Sequence, residues 1–310
     1  ERIALFKNAR LYKLDDVSAI NPDEFEERLA ERRFRPCGPL ETATLGWAPP
    51  LGDRTRALAH AANGCLLMCA RRQERLLPSS VVGEMLDERV AEIEERESRD
   101  VGRKERRQLR EDVLVQMLPR AFTRSRRVLS FIDLNVGWLV VDSGNEKGAE
   151  ESVGLLRETL GSLPAQPARP ERPADILMTN WVTDGAAPEG LVLGDECELR
   201  DRRDEHSVVR CRGQDLSGEE IATHLRAGKQ VVKLALDWRE RLAFILQEDL
   251  SLKRLRFADA LLDEAVDPEL EDEVARLDAE FVIMTHELRG LLDGLSSLFG
   301  LNRTNEQDQQ

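Results

Sequence analysis

The sequence predicts an α+β fold, in which largely antiparallel sheets pack against helices and a helical hairpin projects from the sheet body. Three observations predict it. Short segments of alternating apolar and polar residues, joined by turns, are typical of antiparallel strands. One long stretch in the first half repeats its apolar residues at helical spacing instead. Hydrophobic residues make up 41% of the 310 positions, enough to bury a core in each of two or three domains.

The chain opens with a strand followed by a helix. Residues 3–14 alternate as a strand. Asn21 is placed to cap a helix whose third residue is Glu24, so the helix is predicted to run to about Arg33. A mostly apolar segment at 64–71 predicts the next strand.

Residues 79–117 predict an αα-hairpin. Its apolar residues recur at helical spacing with charged residues between them, and Asp100, Val101 and Gly102 mark the break. The apolar positions are Val82, Leu86, Val90 and Ile93 in the first helix and Leu109, Val113 and Met117 in the second. Two antiparallel helices joined by a short loop would bury these two stripes against each other.

Strands return after the hairpin. Residues 128–133 and 138–142 predict a β-hairpin, residues 145–160 predict a helix, and four prolines between 164 and 173 are typical of a linker. We therefore predict three regions: residues 1–78 with 123–165 as a central sheet domain, residues 79–122 as a helical tip, and residues 166–310 as a base domain with acidic C-terminal helices.

The base domain repeats the pattern of strands and helices. Ser217, with Glu220 three residues later, predicts a capping box for a helix that ends before Gly228. Strands are predicted at 230–238, 242–247 and 251–257, followed by one or two amphipathic helices from Glu269 to about Phe299.

The formal net charge of −14 is distributed unevenly. Residues 259–310 hold 14 acidic side chains against three arginines, a net charge of −11. Residues 101–127 instead hold nine basic side chains against three acidic ones, a net charge of +6. An acidic protein can therefore still carry a basic face, and we expect the acidic segment to face away from any anionic partner.

Composition also indicates the cellular compartment in which the protein is expected. No apolar run approaches the roughly 18 residues of a membrane-spanning helix, and no apolar signal stretch opens the chain, so we expect a cytoplasmic protein that does not enter a membrane. The five cysteines are expected to be reduced thiols. Cys65 and Cys69 fall in the predicted apolar strand, where they fit core packing better than metal ligation.

No motif of enzyme chemistry stands out. The four histidines lack paired metal-ligand spacing, and the chain has no phosphate-binding loop, dinucleotide fingerprint or nucleophile elbow. We therefore predict no catalytic residue, no metal site and no cofactor, and we expect that the protein is not an enzyme.

A basic rim between residues 120 and 127 is the strongest candidate for binding. Four arginines lie at a junction between loop and strand, namely Arg120, Arg124, Arg126 and Arg127. They fit either a solvated turn or a surface that contacts phosphates, since arginine neutralises backbone phosphates without reading a base. Phe122 lies among them and fits a core plug, a stacking platform or a dimer contact.

Several motifs appear in the order found in a known family: Cys37-Gly-Pro, Gly46-Trp-Ala-Pro-Pro, Leu77-Pro, Leu118-Pro-Arg-Ala-Phe, Gly161-Ser-Leu-Pro, Gln214-Asp-Leu, Lys233-Leu-Ala-Leu-Asp-Trp and Leu252-Lys-Arg-Leu. The chain thereby resembles the RdgC family of bacterial recombination-associated proteins, from about residue 5 to about residue 300. Each motif alone is weak, but the ordered set is specific.

The resemblance implies a function. Members of that family are nucleoid-associated proteins that bind double-stranded DNA with little sequence preference and restrain the recombinase RecA. Their horseshoe-shaped subunits form a ring-like homodimer around a basic hole, with one contact between the tips and one between the bases. The family's tip-contact phenylalanine corresponds to Phe122, and its glutamine before Asp-Leu corresponds to Gln214. This chain has Gly213 where some members carry lysine, with Arg212 before it.

The predicted DNA-binding set combines these residues with basic positions at strand ends. Alternation along residues 233–238 separates Lys233 from Leu234 and Leu236, which leaves it available to solvent or phosphate. The full set is Arg71, Arg72, Arg120, Arg124, Arg126, Arg127, Arg212, Gln214, Lys229, Lys233, Lys253 and Arg254, with Phe122 at the dimer interface.

Two other classes of function stay open. A protein-interaction scaffold would use the helical hairpin and the acidic C-terminal helices, and its arginines would form solvated ion pairs. A nuclease would need a metal site that the sequence does not reveal.

Overall fold

The computed structural model describes residues 6–52, 55–204, 206–265 and 273–301. It is an α+β protein, as predicted, and its strands form one large sheet. The strands are β1 Asn8–Leu14, β2 Ala43–Ala48, β3 Ala59–Ala62, β4 Cys65–Arg75, β5 Thr123–Asp133, β6 Trp138–Val141, β7 Ala165–Pro167, β8 Leu191–Asp201, β9 Val208–Arg212, β10 Lys229–Trp238, β11 Leu242–Gln247 and β12 Leu252–Phe257. The helices are α1 Pro22–Ala30, α2 Ser79–Glu97, α3 Arg103–Met117, α4 Glu146–Leu160, α5 Ala174–Asp184, α6 Glu219–Arg226, α7 Asp259–Ala265 and α8 Glu273–Phe299.

The sheet follows the order β2-β4-β5-β6-β1-β12-β11-β10-β8-β9, with β3 beside β4 and β7 beside β1. These strands pair antiparallel throughout. β1 joins the two halves, because it pairs with β6 through residues 10–13 and with β12 through Asn8 and Ala9. Strands from the beginning and the end of the chain therefore meet at the centre of the sheet.

Two hydrophobic cores lie on opposite faces of this sheet. One extends along one face through both halves and is covered by α5, α6 and α8, with Phe131, Phe281 and Leu234 among its members. The other fills the opposite face of the first half only, under α1 and α4, and includes Trp47 and Ile132. Residues 65–70 of β4 and 128–133 of β5 pair with each other and meet both cores, which explains why these stretches are mostly apolar. The remaining ends of both strands are charged and lie outside the cores.

The first unit folds largely as predicted. The side chain of Asn21 accepts a hydrogen bond from the backbone N–H of Asp23 at 3.1 Å and so caps α1. β2 and β3 were not predicted, since both are short and rich in alanine, which has low β-propensity. β4 extends to Arg75, four residues beyond the predicted end, because its charged tail pairs with β2 and β5.

The predicted helical hairpin is confirmed as α2 and α3. Val82, Leu86, Val90 and Ile93 are the buried positions of α2, as their spacing predicts, and Val113 is the buried position of α3. α2 ends at Glu97, and its C-cap residue Ser98 adopts the left-handed conformation with φ of 50°.

Two predictions in the second half are wrong in detail. Gly218 and not Ser217 is the N-cap of α6, because the Ser217 hydroxyl donates to Asp215 at 2.7 Å and leaves the helix without a side-chain cap. The proline-rich segment is not a free linker, since β7 lies within it and pairs with β1. The strands predicted at 230–238, 242–247 and 251–257 are confirmed as β10, β11 and β12.

The predicted C-terminal helix is present as α8, which begins at Glu273. Residues 266–272, including Glu269, lie outside the described residues, as does the end of the acidic segment after 301. In the described parts of the chain, no helix has an apolar stretch long enough to cross a lipid bilayer.

Candidate nucleic-acid interface

The face of the second half of the sheet that lies away from α5, α6 and α8 is polar. Side chains alternate between the two faces of a strand, so Leu234 of β10 enters the core while Lys233 does not. Strand register aligns Arg210 of β9, Glu198 of β8, Lys233 of β10 and Gln247 of β11 in one row across the sheet. We call this surface the polar face.

A cleft of about 340 Å³ lies on the polar face, where it meets β1. Five basic side chains and two carboxylates line it, which gives a local charge of +3 in a protein that is acidic overall. The basic side chains are Arg210, Arg212, Lys233, Lys253 and Arg254, and the carboxylates are Glu196 and Glu198. Four of the predicted DNA-binding residues therefore meet in one place.

Glu198 organises the centre of the cleft. Its buried carboxylate contacts Arg210 at 2.9 Å, Lys233 at 3.0 Å and Arg200 at 3.4 Å. Burial opposes ionisation, but the hydrogen bonds from Lys233 and Arg210 outweigh it and lower the pKa of the Glu198 carboxyl. Lys233 is thus on the predicted face, but it is paired with a carboxylate and is not free.

Glu196 holds a second pair of cations, two residues before Glu198 on β8. It contacts Arg212 at 3.1 Å and Arg254 at 2.7 Å. Arg254 reaches it from a β-bulge, because the register of β11 and β12 shifts between Ala243 and Ile245. The backbone of Arg254 there is left-handed, with φ of 51°, a conformation that costs a side-chain-bearing residue about 1 to 2 kcal/mol.

Lys253 closes the cleft beside the N-terminus of α4. Its ammonium group donates to the carbonyl of Gly144 at 2.6 Å, and its strand neighbour across the ladder is Asn8. Burial and the nearby Arg10 guanidinium lower the pKa of Lys253. Arg10 and Lys253 thus lie close together here, with Arg10 paired to Asp249 at 3.1 Å.

Three more predicted arginines lie on the same face of the sheet, next to α4. Register through β5, β6 and β1 places Arg72, Arg124 and Arg126 on the face of Lys253. Arg72 lies 3.4 Å from Glu151 of α4 and Arg124 is paired with Glu74. The Arg126 guanidinium donates to the hydroxyl of Ser143 at 3.4 Å, beside the carbonyl that binds Lys253.

Three predicted residues lie on the opposite face. The guanidinium of Arg71 stacks on Phe34 at 4.4 Å, and that of Arg127 donates to the carbonyl of Pro49. The ammonium of Lys229 donates to the carbonyl of Ser207 at 2.9 Å. The predicted DNA-binding residues therefore lie on both faces of the sheet.

The basic rim is solvent-exposed. Arg120 ends the short 3₁₀ turn of Leu118–Arg120 that precedes β5. β5 begins at Thr123, five residues before the predicted start at 128, so the other three arginines lie within the strand and not at a junction between loop and strand. Phe122 is 84% exposed, so the core-plug interpretation is wrong. Its exposed ring stays compatible with a stacking platform or a dimer contact.

Gln214 lies in the exposed loop after β9, and its backbone N–H donates to the Asp195 carbonyl at 3.3 Å. Gly213 before it has φ of +63°, a conformation that favours glycine. A lysine at this position would have open space but a strained backbone.

Four charged residues of this surface were not predicted from the sequence: Arg200, Arg210, Glu196 and Glu198. A signal for them exists, since both Glu196-Cys-Glu198 and Arg210-Cys-Arg212 alternate charge with a buried cysteine. These two segments are neighbouring antiparallel strands, with Glu196 opposite Arg212 and Glu198 opposite Arg210. Cross-strand charge pairs of this kind can be read from sequence once β8 and β9 are recognised.

A larger cleft of about 870 Å³ lies on the other face, beside α8. Two of its arginines are held by acids, Arg241 by Glu287 at 2.8 Å and Arg289 by Asp133 at 2.7 Å. Among the described residues, no group of three histidine, cysteine or acidic side chains could hold a metal ion.

Comparison with known proteins gives a match along nearly the whole chain. The family model described as "Putative exonuclease, RdgC" matches residues 4–302. The "Recombination-associated protein RdgC" of Salmonella paratyphi B is 41% identical over 290 residues, which cover 94% of this chain and 96% of that protein. The proteins of that name from Salmonella typhimurium and Salmonella typhi show the same identity and coverage.

Proposed function

This chain belongs to the RdgC family, and on that premise we propose that it acts in recombination by binding double-stranded DNA through its phosphates. The relatives are named for an association with recombination, and duplex DNA is the substrate of that process. The proposed DNA-binding surface is the polar face with its cleft, extended by Arg72, Arg124 and Arg126.

The basic cleft is the observation that supports this proposal most strongly. Five basic side chains line a cleft of about 340 Å³ in a protein whose net charge is −14. The two carboxylates of the cleft neutralise only two of these five positive charges. Arginine and lysine bind phosphates by neutralising charge and releasing counterions, which needs no base contact. The binding is therefore expected to be independent of DNA sequence.

The proposal includes a ring-shaped homodimer that encircles DNA. Phe122 supports it, since its ring is 84% exposed and is therefore accessible for packing against a second copy of the chain. The ring would hold DNA topologically, and a protein so placed in the nucleoid would restrain RecA by occupying the duplex on which recombination acts.

Salt titration of DNA binding tests the central step. If each of the five cleft cations neutralises one phosphate, log K falls with log salt with a slope of about −4.5, or about 500-fold between 50 and 200 mM. Duplexes of unrelated sequence should give the same slope. Absent binding at about 50 mM salt, or binding that ignores salt, would contradict the proposal and favour the protein-interaction scaffold.

The family description also names an exonuclease, so cleavage is tested in parallel. End-labelled duplex is incubated with highly purified protein and Mg²⁺. We expect intact DNA. Progressive loss of the label that follows the protein through purification would show nuclease activity.

A further inference from the structure

We propose that Glu196 and Glu198 are positioning residues, which hold Arg210 and Arg212 so that both guanidinium groups present their free ends to the DNA backbone. The inference rests on the proposed function and assigns roles within it. It concerns a pair of carboxylates that, by charge alone, would repel a phosphate.

The contacts to these two arginines are made through one edge of the guanidinium group. Arg210 donates through Nε to Glu198 at 2.9 Å, and Arg212 donates through Nε to Glu196 at 3.1 Å. Within the described part of the chain, no hydrogen bond occupies the terminal Nη groups of either side chain. Each arginine is thus fixed in direction and keeps its outer donors for another acceptor.

Exposure supports the same division of roles. The side chains of Arg210 and Arg212 are 67% and 64% exposed, whereas that of Glu198 is 8% exposed. The carboxylate lies at the bottom and the guanidinium groups at the surface. A phosphate can therefore approach the arginines without displacing Glu198.

The two arginines are also spaced along the strand so that both can contact one DNA backbone. They are two residues apart on β9, the outermost strand, so their side chains leave the same face about 6.8 Å apart. Lys233 and Arg254 are held by the same two carboxylates from the inner strands. One pair of acids thereby orders these four cations of the cleft, which would otherwise move independently.

The loss of side-chain entropy on binding decides whether removal of a carboxylate weakens or strengthens DNA binding. A free arginine loses rotamer freedom when it is ordered on binding, and the carboxylates have already imposed that order in the unbound protein. Without them, the gain from one fewer negative charge is opposed by the cost of ordering several cations. We expect the cost to dominate, because Glu198 alone holds three of them.

The test compares three variants of the full chain, with duplex DNA of random sequence as the probe. Glu198→Gln and Glu196→Gln each remove one charge from the cleft. Glu248→Gln is the matched control, since it removes the same charge from an exposed residue whose carboxylate contacts Arg200, an arginine outside the cleft lining, at 3.0 Å. Affinity and salt slope are measured by fluorescence anisotropy, and folding by thermal melting.

The proposal predicts that Glu198→Gln binds about tenfold more weakly at 150 mM salt with a shallower salt slope, whereas Glu248→Gln binds as tightly as the natural protein or more tightly. Equal or tighter binding by a folded Glu198→Gln variant would overturn it, because the acids would then act only as repulsive charges. If Glu198→Gln does not fold, Glu196→Gln decides by the same criteria. Absent binding by the natural protein would instead refute the proposed function itself.

Discussion

Replacing Phe122 by alanine separates a surface role from a packing role. The side chain is 84% exposed, so its removal leaves almost no cavity in the subunit. We expect the free energy of unfolding of one subunit to change by less than about 0.5 kcal/mol, against about 3 to 5 kcal/mol for a buried phenylalanine.

In the proposed ring-shaped dimer, the effect of Phe122→Ala on ring closure should be much larger. Burial of a phenylalanine contributes about 1.5 to 3 kcal/mol, and a two-fold contact contains two copies. Loss of both therefore weakens the tip contact by about 3 to 6 kcal/mol, or about 100-fold to 10⁴-fold in its closure constant. The contact between the bases would still hold the dimer.

The assay compares retention on circular and linear duplexes after a wash at high salt. A closed ring is linked topologically to a circle but slides off a linear end, so the natural protein should persist on the circle alone. Phe122→Ala should lose that difference while its melting temperature and its dimer mass stay unchanged. A lowered melting temperature, or unchanged retention on circles, would refute the assignment of Phe122 to a tip contact.

Other substitutions test the cleft, the rim and the core. Replacing Arg72, Arg124 and Arg126 together by alanine should weaken binding to unrelated duplexes by similar factors and reduce the salt slope, and a loss confined to one sequence would contradict phosphate contact. Arg254→Gly should relieve the left-handed backbone and leave the melting temperature equal or higher while DNA affinity falls; a lower melting temperature with unchanged affinity would show that Arg254 serves stability. The pKa of Glu198 is lowered in the folded state, so its ionised form stabilises the protein at a pH above the ordinary value of 4.5. That stability is lost as the pH falls through the folded pKa. Glu198→Gln should therefore flatten the acid side of a plot of melting temperature against pH. Phe281→Ala should cost about 3 to 5 kcal/mol in denaturant unfolding, because the ring is fully buried between Phe131 and His60, and a cost below about 1 kcal/mol would contradict this packing.

Local patterns were enough to predict the elements whose signal lies within one segment. The apolar run after Gly64 predicts a buried strand because both of its faces meet a core, and the spacing of Val82, Leu86 and Val90 predicts the buried stripe of α2. β2 and β3 were not predicted, because alanine has low β-propensity and these segments become strands by pairing with β4.

The site was predictable only to a limited extent for the same reason. Alternation along β10 places Lys233 on the correct face, but its partner Glu198 lies 35 positions earlier in the chain and is brought to it by strand register. The direction of Arg254 depends on a bulge between β11 and β12, for which the segment itself carries no glycine signal. The charge contacts between strands could therefore be identified only once the fold was known.

Lysine footprinting tests most directly whether DNA lies on the polar face. The protein is acetylated with and without saturating random-sequence duplex, and the modified lysines are measured by mass spectrometry. Burial, Arg10 and Lys233 lower the pKa of Lys253, which raises the fraction of its amine in the neutral form that reacts with the reagent. We predict that DNA protects Lys253 and Lys233, while Lys13, which lines the cleft on the opposite face, reacts equally in both samples. Protection of Lys13 without protection of Lys253 and Lys233 would contradict the account.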